Sequence, residues 1–161
     1  MADWGALSDY VPPNPMRADG GGEINWEELC KGLEKARSQG RIGWVGFDHG
    51  FLFQRLYYLR GFENLMVDLI AGRKEIYALR DSIVDYNLEL IRRSLQGGVD
   101  GIGFADDWGT QRGLMISPSL WREFYRPAYR RMCDEVKRAG KHIFFHSDGY
   151  IMDIIPDFIE L

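Results

Sequence analysis

Gly97-Gly98-Val99-Asp100-Gly101-Ile102-Gly103-Phe104-Ala105-Asp106-Asp107-Trp108-Gly109-Thr110-Gln111-Arg112-Gly113-Leu114-Met115-Ile116-Ser117-Pro118 is the stretch whose reading decides the fold. The glycine pair ends one helix, and Val99 to Ala105 is a short apolar run suited to a buried strand. Two adjacent carboxylates follow the strand's carboxyl end, and a polar, glycine-bearing loop leads to Ser117-Pro118, a helix start. Alternating α/β folds collect binding and catalytic groups on the loops after strand carboxyl ends, so Asp106 and Asp107 stand in a functional position. The period of two puts Gly101, Gly103, Ala105 and Asp107 on one face of the strand. Side chains that small either admit a closely packed helix or leave open space beneath Asp107.

Outward from this stretch the chain alternates helix and strand. Residues 1–25 carry Pro12, Pro13, Pro15 and Gly20-Gly21-Gly22 and read as an irregular arm before a domain at 26–161. Asn25 and Glu28 open a helix at 26–39, with Leu29, Leu33 and Ala36 on one face. A strand at 42–47 leads to Asp48-His49-Gly50, and helices are expected at 51–60 and 62–71. Ile76, Leu79, Ile83, Tyr86 and Leu90 recur at spacings of three and four and define a helix at 73–96. The helix from Pro118 to about Ala139 buries Leu120, Phe124, Ala128, Met132 and Val136. Arg122, Arg126 and Arg130 fall on one side of it, as a solvated face or an anion clamp. A third strand at 141–146 ends in Ser147-Asp148-Gly149, and Pro156 interrupts a last helical stretch.

Composition narrows the possible functions. The 161 residues fit one domain, and a net charge of −4 gives no basic field for nucleic acid. No apolar run is long enough to span a bilayer, and Met1 leads into Ala-Asp-Trp-Gly rather than a signal-like segment. Cys30 and Cys133 form no CxxC pattern and are expected as reduced thiols, which makes the cytoplasm the expected compartment. No phosphate-binding glycine loop occurs at a strand end.

Each strand end carries titratable groups: Asp48 with His49, Asp106 with Asp107, and His146 with Asp148. In a parallel sheet all three ends lie on one side, so these groups converge on one pocket. Carboxylates beside histidine suit acid–base chemistry or a metal with nitrogen and oxygen ligands. Ser147 lacks the glycines of a nucleophile elbow, which weakens a hydrolase reading.

Three motifs resemble the uroporphyrinogen decarboxylase superfamily: Tyr58-Leu59-Arg60-Gly61-Phe62-Glu63, Asp106 to Gln111 running on to Ile116-Ser117-Pro118, and His146-Ser147-Asp148-Gly149. The resemblance implies an α/β fold, a (β/α)8 barrel of TIM type with parallel strands and long amphipathic helices. Such a barrel needs ~250 residues, so three strands in this length read as an incomplete barrel from a truncated form. The superfamily holds cofactor-free decarboxylases of uroporphyrinogen, in porphyrin biosynthesis, and cobamide-dependent methyltransferases that use zinc to activate a thiol. On the decarboxylase pattern Tyr57 matches an active-site tyrosine, Asp106 a substrate-contacting serine and Phe104 a pocket phenylalanine. Asp107, His146 and Tyr57 are the catalytic candidates, with Asp106, Phe104, Asp148 and His49 expected to bind substrate.

The decarboxylase reading requires no cofactor and assigns no metal ligand. The methyltransferase alternative adds zinc and a corrinoid partner, but Asp148 stands where that pattern has cysteine. His146 and Asp148 then supply two ligands where a catalytic zinc takes three, so weak zinc binding is expected. The decarboxylases' amino-terminal arginine motif and catalytic aspartate have no counterpart. The expected partner is a small molecule, a tetrapyrrole or a methyl donor, with homo-oligomers forming through open sheet edges. A non-catalytic remnant serving as a binding partner is the third reading.

Overall fold

The computed structural model describes residues 1, 3–17, 24–47 and 50–161. Three parallel strands, β1 (Trp44–Gly46), β2 (Gly101–Ala105) and β3 (His142–His146), lie in that order in one sheet. Helix α1 (Trp26–Ser38) precedes β1, and α2 (Phe53–Arg60), α3 (Phe62–Ala71) and α4 (Lys74–Gln96) lie between β1 and β2. Between β2 and β3, α5 (Pro118–Leu120), a π-helical turn (Trp121–Tyr125) and α6 (Arg126–Arg138) follow one another directly, and α7 (Ile155–Glu160) closes the chain. This is a parallel α/β arrangement consistent with part of a TIM-type barrel.

The helix ends follow local chemistry. The Asn25 side chain accepts from the Glu28 N–H at 3.1 Å, and the Ser117 hydroxyl accepts from the Leu120 N–H at 3.2 Å. Gly72 closes α3 in the left-handed conformation, at φ 60°. The strand expected at 42–47 contracts to three residues, with Ile42 61% exposed, although Phe47 N–H still donates to Gly103 carbonyl at 3.3 Å. Asp100 ends the run at 99–100 as a clasp: its carboxylate accepts from Gly43 N–H at 2.8 Å and pairs with Arg37 at 3.0 Å.

Helices cover one face of the sheet. Ile102 and Phe104 are buried there, with Val45, Ile143 and Phe145 packed around them. Phe51 stacks on Phe104 at 4.5 Å, Phe53 stacks on Trp108 at 4.6 Å, and Trp121, Tyr125 and Tyr129 fill the space behind. The opposite face is bare, with Trp44 53% and Phe144 47% exposed. The small residues of β2 therefore do not receive a helix. A Cβ on Gly103 would come within 2.7 Å of the Trp44 ring, which lies across the strand toward Phe144 at 5.1 Å.

The arm opens with a short packed turn. A 3₁₀ turn at Trp4–Leu7 sets the Trp4 indole N–H 3.3 Å from Asp68, under the Arg60 guanidinium at 4.6 Å. Arg60 and Asp68 form a buried ion pair at 2.6 Å. Arg122 pairs with Asp157 at 2.9 Å and Arg126 with Glu160, so two arginines of the expected basic side anchor α7. No helix among the described residues is long and apolar enough to cross a membrane.

Candidate active site

The loops after β2 and β3 lie backbone against backbone. Tyr150 N–H donates to the Thr110 carbonyl at 2.7 Å, and Trp108 N–H donates to the Ser147 hydroxyl at 3.0 Å. A Cβ on Gly109 would sit 2.5 Å from the Tyr150 nitrogen, and one on Gly149 would sit 2.4 Å from Gly109 backbone. Glycine at both positions is what lets the loops meet. The Ser147 hydroxyl is occupied by this loop contact.

That contact brings Asp107 to His146 and Asp148. Asp107 Oδ1 accepts from the Asp148 N–H at 2.8 Å, and Oδ2 accepts from Gln54 Nε2 at 3.0 Å. His146 Nε2 lies 3.5 Å from Asp148 Oδ1. One donor atom from each of Asp107, His146 and Asp148 falls within 4.8 Å of the others. Asp107 is half-buried, whereas His146 and Asp148 are exposed. Tyr57, half-buried on α2, feels the same site. A hydrogen bond with Tyr58, burial and the Asp107 charge raise its pKa, and a hydrogen bond with Gln54 opposes the rise.

One expected substrate contact is corrected. Asp106 is 2% exposed and turned into the helical layer. Its carboxylate accepts from the N–H groups of Leu52 and Phe53 at 2.7 Å, from Gln54 N–H at 3.1 Å and from the Tyr129 hydroxyl at 2.6 Å. It caps α2 across the fold. Burial raises its pKa, and these four donors pull against that rise. Burial and the neighbouring Asp106 push the Tyr129 phenol well above the usual tyrosine range, so it stays a donor. The Phe104 ring is 1% exposed and stacked on Phe51 in the core, while the residue also lines a cavity on the sheet that His146 shares. His49, the remaining candidate, lies outside the described residues.

Gln54 is the member that sequence reading missed. A single glutamine in the aromatic run 51–60 carries no motif. Only the fold shows it 5% exposed with its amide on Asp107.

Strand-end loops carrying nitrogen and oxygen donors at one end of a parallel sheet are consistent with part of a TIM-type barrel. The uroporphyrinogen decarboxylase (URO-D) family model matches residues 28–161, and the chain belongs to that family. A methyltransferase from Methanosarcina mazei shares its fold, with a TM-score of 0.63 at 15% identity. The match covers 92% of this chain and 46% of that one, so this chain spans about half the length of its structural neighbour. No curated protein matches the sequence.

The family's zinc-using branch raises the question whether this site fits a metal. Asp107 joins His146 and Asp148 there, so three side chains rather than two each offer one nitrogen or oxygen atom. One imidazole nitrogen and two carboxylate oxygens match, in number and type, ligands that a catalytic zinc takes from protein.

Proposed function

We propose that Asp107, His146 and Asp148 form the reaction centre of a URO-D family enzyme of the metal-assisted methyl-transfer type. The observation that carries this reading is the three-donor cluster itself. A zinc ion held by these residues would act as a Lewis acid and lower the pKa of a substrate thiol. Asp107 would be pre-set for that task, because both its oxygens are already oriented by hydrogen bonds. His146 would bind as the neutral imidazole.

Charge favours this reading over tetrapyrrole decarboxylation. Uroporphyrinogen is a polycarboxylate, and Asp107 and Asp148 set two acidic side chains at the mouth. Arg122 and Arg126 are committed to Asp157 and Glu160 in the helical layer. Tyr57, at the position of the decarboxylases' tyrosine and sensing Asp107, is the observation that favours the decarboxylase as second reading.

Metal analysis of the purified chain separates the two. One zinc per chain, lost in His146→Ala and in Asp148→Ala while circular dichroism stays unchanged, is the expected result. A metal-free chain that releases carbon dioxide from uroporphyrinogen would replace this reading with the second.

A further inference from the structure

We infer that Gln54 is a positioning residue that fixes the rotamer of Asp107. The inference rests on Asp107 belonging to the reaction centre.

Three observations point to this role. Gln54 is a polar side chain buried alongside Phe53 and Leu56, which costs free energy unless the amide is used. Its Nε2 donates to Asp107 Oδ2 at 3.0 Å. Its Oε1 is buried with no hydrogen-bond partner among the described residues. The reverse orientation of the amide would set its oxygen against the carboxylate, so this orientation is held by Asp107. An amide that leaves its own acceptor unsatisfied to keep a donor on Asp107 is placed for the carboxylate's benefit.

The backbone gives Gln54 its precision. Its own N–H is bound by Asp106 at 3.1 Å, so the start of α2 is pinned to the end of β2. The side chain then reaches the next residue of that strand end. Two neighbouring carboxylates hold one glutamine, the first by its main chain and the second by its amide. Asp107 thus receives one bond from the α2 side and one, through the Asp148 N–H, from the β3 side.

The test uses the full chain with Gln54→Met, which keeps length and removes both amide functions. Gln54→Glu, which keeps length and an acceptor but lacks the donor, is the second variant should the first fail to fold. In metal-free protein, three-bond couplings across the Asp107 Cα–Cβ bond are expected to report one rotamer in the wild type and averaging in either variant. A single unchanged rotamer in a folded variant overturns the inference. Zinc titration against a chromophoric chelator gives the second readout, with affinity expected to fall about tenfold in Gln54→Met. If the wild type takes up no zinc, the metal-assisted reading fails, and the rotamer result still decides the role of Gln54.

Discussion

The helix-covered face of the sheet and its bare face are built from alternate residues of the same three strands. On the covered side Phe104 and Asp106 are sealed, and a carboxylate there is fully used in holding α2. On the bare side Gly103 accommodates an indole ring, and Asp107 points to a mouth it shares with His146 and Asp148. Adjacent, chemically identical residues therefore do opposite work. What separates Asp106 from Asp107 is which side of the sheet each one faces.

Stability measurements give the hardest test of that contrast. Asp106→Ala leaves four donors without an acceptor and is expected to cost about 3–5 kcal/mol in urea denaturation. Asp107→Ala should stay within about 1 kcal/mol of the wild type. Equal losses would break the comparison. Tyr129→Phe removes one of the four donors and should cost about 2 kcal/mol by the same measurement. Gly103→Val on the bare side should cost only about 1 kcal/mol, because the half-exposed Trp44 ring can swing away, and its emission should shift to the red. On that same side, sedimentation at rising concentration is expected to show self-association that Phe144→Lys weakens. A concentration-independent wild-type monomer would count against it.

Thiol labelling sharpens the contrast at its smallest scale. Burial pushes Cys133 up to about 12, so at pH 9 only about one thiol in a thousand is ionised there. Cys30, partly exposed on α1, should react first with a water-soluble disulfide reagent, and Cys133 only on unfolding. Rapid labelling of native Cys133 would show that the covered layer opens far more readily than its packing implies.

Much of this was readable beforehand, for definite reasons. α3 falls on its expected residues, and α4 within one, because a glycine stops each helix and the apolar spacing runs unbroken between. The meeting of Asp107, His146 and Asp148 followed from strand polarity. The expected substrate contact of Asp106 runs against the alternation that groups Asp107 with Gly103, which sends Asp106 to the other face. The π-helical turn was not legible: Trp121 and Tyr125 are both buried, and an extra residue per turn leaves no mark in a helix so rich in aromatics. Gln54 was hidden because its partner lies 53 residues away.

The cap that Asp106 places on α2 also imposes an order of events during synthesis. Eight residues are too few to hold a helix alone in water, and the first N–H groups of this one wait for a carboxylate 54 residues downstream of Leu52. As the chain leaves the ribosome at about 5–20 residues per second, the Phe-Leu-Phe-Gln-Arg-Leu-Tyr-Tyr run spends several seconds without its acceptor. During that interval its aromatic side chains have no sheet to pack on. The segment that later holds Asp107 in place is thus made well before the carboxylate that caps it.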